Sequence, residues 1–106
     1  MIDRQRLQDL RLEIGEDDFS EVVEMFMDEM VDTLASLGDA VEMADPNVFH
    51  GLRGSALNLG FTDFATACTE AEKRAIAGQS VDVVHLDWLY RESVKALETE
   101  LPAAAA

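Results

Sequence analysis

An all-α fold, an antiparallel four-helix bundle with an additional short N-terminal helix, is predicted by three features of the 106-residue sequence. Four long segments repeat their apolar residues at the helical period. The connections between them are short and carry helix-capping residues. No segment alternates apolar and polar residues as a half-buried strand does, and two prolines, six glycines and few aromatics also favour helix over sheet. A chain of this length forms one domain, residues 1–106, with a single modest core.

Residues 3 to 12 carry Leu7 and Leu10, followed by Ile14, at helical spacing and end near Gly15. This predicts a short N-terminal helix within residues 1–15 that covers one end of the bundle. Asp17 and Asp18 then read as an N-cap, with Glu21 three residues after Asp18 in a capping-box-like arrangement. From Phe19 to Ala44, the positions Phe19, Val22, Val23, Phe26, Met30, Thr33, Leu34, Leu37, Ala40, Val41 and Ala44 stay on one face. One long helix, bent near Gly38, is the expected result. Met25, Met27 and Met43 lie off or beside the stripe and read as core-edge residues, since methionine fills irregular gaps.

Asp45 is a good N-cap for the next helix, Pro46 fits a first turn that needs no backbone N–H, and Gly60 is a natural stop. The break at Asp45-Pro46 is so short that the two helices must lie as antiparallel neighbours. Thr62 or Asp63 caps a further helix, with Phe64, Ala67, Cys68 and Ala71 as a narrow small-residue face, running to about Ala77 before Gly78. Ser80 or Asp82 opens the last helix, where Leu86, Leu89, Tyr90, Ser93, Ala96, Leu97 and Leu101 share a face. Trp88 falls off that face and is expected to pack against the N-terminal helix. Pro102 and four alanines, residues 102–106, read as a flexible tail, and with Met1 they suggest the ends of a complete protein.

Eight basic residues against twenty-two acidic ones give a formal net charge of −14. Nucleic acid and anionic membranes are repelled by such a surface, and the even spread of the acids points to solubility and a monomer. No apolar run approaches the roughly 20 residues needed to span a membrane, and charges occupy the N-terminus where a signal peptide needs an apolar stretch, so a cytoplasmic protein is expected. The single cysteine, Cys68, excludes an intramolecular disulfide and a thiolate metal cluster, and its place on an apolar face predicts burial.

The stretch from Asp45 to Gly60 carries the chemistry. Val48, Phe49, Leu52, Ser55, Ala56 and Leu59 form its apolar side, and His50 points almost directly away from them. Gly54 and Leu57 lie within about 40° of His50 around the helix axis, and Arg53 within about 60°. Gly51 and Gly54 each cost a helix on the order of 1 kcal/mol relative to alanine, and close approach by another molecule would account for Gly54. A neutral imidazole is a competent nucleophile, and a cation one turn away can hold phosphoryl oxygens. The second histidine, His85, has Asp87 and Glu92 nearby and no glycine or cation one turn on, so it reads as structural or simply exposed.

His50-Gly51-Leu52-Arg53-Gly54-Ser55, followed by Leu59-Gly60, resembles the signature of histidine-containing phosphotransfer domains, usually His-x-Leu-Lys-Gly-Ser and a later Gly. A second match is Phe64-Ala65-Thr66-Ala67-Cys68-Thr69-Glu70-Ala71-Glu72. The resemblance implies that His50 passes a phosphoryl group to and from aspartates of response-regulator receiver domains, in a relay fed by a sensor or hybrid histidine kinase. It implies that Arg53 screens the phosphate and that Glu72 accepts a hydrogen bond from the ring Nδ1–H. Gly54, Leu57, Asn58 and Phe61 are the expected partner-binding residues, with Leu57 and Phe61 forming an apolar docking surface. No cofactor is expected on this chain, the divalent metal belonging to the receiver partner. Two departures stand out: Arg53 replaces the more common lysine with a planar fork, and Phe61 replaces a usually smaller residue.

The sequence has no glycine-rich nucleotide loop, so ATP-dependent kinase activity is not expected and the chain reads as a phosphocarrier. An alternative is a bundle that binds a receiver or kinase domain without carrying phosphate. A metal-dependent enzyme of bundle type would need Glu-x-x-His pairs, and neither histidine has a glutamate three residues before it.

Overall fold

The structure is a computed structural model that describes residues 1–38, 40–42 and 44–100. Five helices follow one another: α1 (Arg4–Ile14), α2 (Glu16–Leu37), α3 (Pro46–Asn58), α4 (Thr62–Ile76) and α5 (Val83–Glu98). Helices α2 to α5 form the bundle, each packing on its neighbours around the ring, and α1 lies across α2 and α3. The largest interface joins α3 to α4. Among the described residues no helix is long and apolar enough to cross a membrane.

The core follows the helical stripes. Phe19, Val23, Met30 and Leu34 of α2 meet Phe49, Leu52 and Ala56 of α3, all buried. Phe64, Ala65, Cys68, Ala71 and Ala75 supply the face of α4, and Val83, Leu86, Tyr90, Ser93 and Leu97 that of α5. The ring of Tyr90 meets Phe61 and Phe64 edge-on, with centroids 6.2 and 5.7 Å apart, geometry that suits the opposite charges of ring edge and face. Its hydroxyl donates to the Met27 carbonyl at 3.2 Å and so ties α5 to α2. Burial and the nearby carboxylates of Asp28 and Asp87 push the Tyr90 hydroxyl up to about 12. Cys68 is buried as expected, and the loss of water around it pushes its thiol up to about 12, which rules it out as a neutral-pH nucleophile.

Several boundaries differ from the sequence expectation. Helix α2 is capped by Gly15, and Asp17 and Asp18 lie inside its first turn with Glu16. There they oppose the positive end of the helix dipole, a stabilisation of about 0.3–1 kcal/mol each, so their acidity still marks the helix start. The helix ends at Leu37 instead of bending through to Ala44, because Gly38 takes φ +74° and carries the backbone out of the right-handed helix. Ala40–Val41 (β1) then pairs antiparallel with Val81–Asp82 (β2), Ala40 opposite Asp82 and Val41 opposite Val81. Two residues per strand are too few for apolar periodicity to reveal. Helix α4 begins at Thr62 with Phe61 as its cap residue and no side-chain cap. Trp88 is 54% exposed and stacks on His85 with centroids 6.4 Å apart, in place of a buried contact with the N-terminal helix. Met43, Leu101 and the tail at 102–106 lie outside the described residues.

The turn between α3 and α4 locks the N-terminal segment in place. Gly60 adopts φ +75°, and its carbonyl accepts from the Asp3 N–H at 2.7 Å. A Cβ at Gly60 would stand 2.6 Å from the Asp3 carbonyl oxygen. Glycine is thus required twice, for conformation and for space.

Candidate functional site

Helix α3 starts where the sequence says it should: the Asp45 side chain accepts from the Asn47 N–H, and Pro46 occupies the first turn. With Phe49, Leu52 and Ala56 anchored in the core, the 3.6-residue period turns His50 outward, and its side chain is 63% exposed. Gly54 and Leu57 share that face, Leu57 being 51% exposed. A Cβ at Gly54 or Gly51 would meet nothing within 4 Å. Among the described residues, then, no contact requires either glycine in the middle of α3. Gly51 lies on another flank, in a shallow groove between α2 and α3 that Thr33, Val48 and Ser55 also line.

The α3–α4 interface brings Glu72 to the histidine from twenty-two positions downstream. Its Oε2 lies 3.3 Å from His50 Nδ1, and its Oε1 lies 3.9 Å from Arg53 Nη1. Arg53, one turn along α3, places Nη2 only 2.8 Å from the same His50 Nδ1. Imidazole, guanidinium and carboxylate thus form one compact cluster. All three are residues singled out by the sequence, and of the two Nδ1 contacts the arginine's is the shorter. Among the described residues, no group of three or more His, Cys, Asp or Glu is placed to hold a metal ion.

The other expected partner-binding residues divide. Gly54 and Leu57 face solvent beside His50. Asn58 is partly buried: its amide donates to the Gly54 carbonyl at 3.2 Å, and its Oδ1 accepts from Arg6 Nη2 at 3.1 Å. Phe61 contradicts expectation, for it is 0% exposed and its ring belongs to the aromatic core with Tyr90. The left-handed turn at Gly60 redirects the chain, so angular position on α3 no longer predicts where Phe61 points. Of the two apolar residues expected to dock a partner, Leu57 is the exposed one. Arg6, from α1, is joined to Asn58, and its other nitrogen pairs with Glu13 at 3.2 Å. Periodicity within α1 carries no signal for such a contact, because it depends on how α1 lies across α3.

The fold and site together define a helical-bundle domain that presents an exposed imidazole flanked by a guanidinium and a carboxylate. Compared with protein-family models, the sequence matches the Hpt domain over residues 21–106, and the chain belongs to that family. Hpt domains serve in histidine phosphotransfer within phosphorelays, interacting with receiver domains and histidine kinases. Neither curated proteins nor solved structures yielded a match. Helix α1 and the first turn of α2 lie outside the matched segment.

Proposed function

We propose that this protein carries a phosphoryl group on His50 Nε2, taking it from an aspartyl phosphate of one receiver domain and passing it to the aspartate of another. The observation that carries the reading is the convergence of Arg53 and Glu72 on the ring of an exposed histidine held by a core-anchored helix. Transfer of this kind depends on positioning and on neutralising charge at the phosphoryl oxygens, and the protein has little covalent chemistry to supply beyond the nucleophile. Arg53 brings the positive charge. Glu72 provides an acceptor for a ring N–H, which holds the imidazole in one orientation and stabilises the ring cation that forms when Nε2 is phosphorylated.

Gly54 gives a partner close access to the backbone, and Leu57 supplies apolar contact beside the reactive atom, with Asn58 at the border of the patch. The partners are response-regulator receiver domains and a sensor or hybrid histidine kinase. The divalent metal is the receiver's, and the carrier acts as a cytoplasmic monomer without using ATP. The reading is tested by incubating the purified protein and its His50→Gln variant with a phosphorylated receiver domain or a small phosphoramidate donor and measuring intact mass. An acid-labile adduct on the wild type alone is the expected outcome. Absence of any adduct on folded wild-type protein overturns the carrier reading in favour of a module that binds a receiver or kinase domain without phosphate.

A further inference from the structure

His50 Nδ1 is claimed by two groups of opposite demand. A guanidinium has five N–H donors and no acceptor, so the 2.8 Å contact with Arg53 Nη2 is a hydrogen bond only when Nδ1 is unprotonated and accepts. A carboxylate only accepts, so Glu72 Oε2, at an ion-pair distance of 3.3 Å, takes a hydrogen bond only when Nδ1 carries the proton and the ring turns it toward Glu72. One nitrogen has one in-plane position and cannot satisfy both. In a neutral ring, the choice at Nδ1 also decides the other nitrogen. With Arg53 donating to Nδ1, the proton sits on Nε2, which then has no lone pair for attack on phosphorus. With Nδ1–H directed at Glu72, the Nε2 lone pair is free for attack.

We propose that Arg53 is a tautomer gate: in the unliganded protein it donates to Nδ1 and holds His50 in the unreactive Nε2–H form, and an arriving phosphoryl group opens the gate by drawing the guanidinium away. The inference deepens the phosphocarrier reading and rests on it for its purpose. Phosphoryl oxygens compete well for Arg53, because a guanidinium matches them in bidentate geometry and a doubly charged anion attracts it more than a neutral ring nitrogen does. Among the described residues the other near partner of Arg53 is Glu72 Oε1 at 3.9 Å. Once it turns, the ring proton exchanges through solvent from Nε2 to Nδ1, where Glu72 accepts it.

Nε2 then attacks with its lone pair. The N–P bond forms, the P–O bond of the acyl phosphate breaks, and its electron pair leaves on the donor aspartate as a carboxylate. The Nδ1 proton stays in place, so the phosphorylated ring is cationic beside Glu72. Arg53 in this scheme both screens phosphate and prevents nucleophilic attack in its absence, so it is a positioning residue as well as a clamp.

The test is nitrogen-detected NMR of imidazole-labelled protein at about pH 8.5, above the ordinary imidazole range, where pyrrole-type and pyridine-type ring nitrogens are distinguished directly. Wild type should show His50 mainly as Nε2–H. Arg53→Ala, at a partly exposed helix position that favours alanine, should convert it mainly to Nδ1–H, and Arg53→Ala combined with Glu72→Ala should return it to Nε2–H. Addition of inorganic phosphate to wild type should shift it toward Nδ1–H. A wild type already in the Nδ1–H form, or an Arg53→Ala variant with an unchanged tautomer and a native amide spectrum, overturns the gate. These readouts need no phosphoryl transfer, so the gate and the carrier reading fail separately: loss of the His50 mass adduct refutes the latter while leaving the tautomer shift to be read.

Discussion

Gly54→Ala separates the cost of an interior glycine from its use. The residue lies within α3, it faces solvent, and an added methyl would meet nothing within 4 Å. Its φ is not among the positive values of the chain, so alanine is tolerated without strain. Removing the backbone entropy of glycine from a helix interior gains about 1 kcal/mol. For a domain of this size that gain raises Tm by about 4 °C. The same methyl stands one turn from His50, where, on the proposed reading, a receiver domain approaches the backbone. Overfilling a close-packed contact costs about 1–3 kcal/mol, so transfer from a phosphorylated receiver should slow by about fivefold or more. A small phosphoramidate needs no such approach and should react at the wild-type rate. Thermal unfolding, rapid-quench transfer from the receiver and adduct formation with the small donor together make the measurement. A more stable variant that still accepts from the receiver at the wild-type rate would refute the idea that Gly54 is kept for access.

Gly60→Ala should behave in the opposite way, losing about 1–3 kcal/mol or more in urea unfolding, because the new Cβ would stand 2.6 Å from the Asp3 carbonyl oxygen at a φ of +75°; wild-type stability would contradict that account of the turn. Stability should also fall as the pH rises from about 9 towards 12. The unfolded Cys68 thiol ionises near its ordinary 9.0 and the unfolded Tyr90 hydroxyl near 10.0, whereas burial holds both folded groups protonated to about 12. The folded state then binds more protons than the unfolded one, so alkali favours unfolding. Urea midpoints measured from pH 8 to about 10.5 should decline, and less steeply in Cys68→Ala; a flat wild-type profile would contradict the burial of these groups.

Much of the site was legible because a helix repeats locally. Asp45 and Pro46 set the phase of α3, Phe49 and Leu52 choose its inward side, and the outward direction of His50 follows from bond geometry alone. Periodicity predicts a bend at Gly38, where α2 in fact ends, since it cannot distinguish two more residues of helix from two residues of strand at Ala40 and Val41. The resemblance implies that Phe61 docks a partner beside Leu57, and the left-handed turn at Gly60 instead sends its ring into the core.

What the sequence by itself determined is the set of helices, the outward face of α3 and the residue types gathered on it. Only the tertiary structure decided how near they come: Glu72 at 3.3 Å and Arg53 at 2.8 Å from one ring nitrogen, and Arg6 of α1 joined to Asn58 at 3.1 Å. The physical reason is one of range. Backbone period and capping act over a few residues and leave their record in local order, whereas the separation between α3 and α4 is set by small buried side chains such as Ala56, Cys68 and Ala71, whose combined packing no single segment encodes.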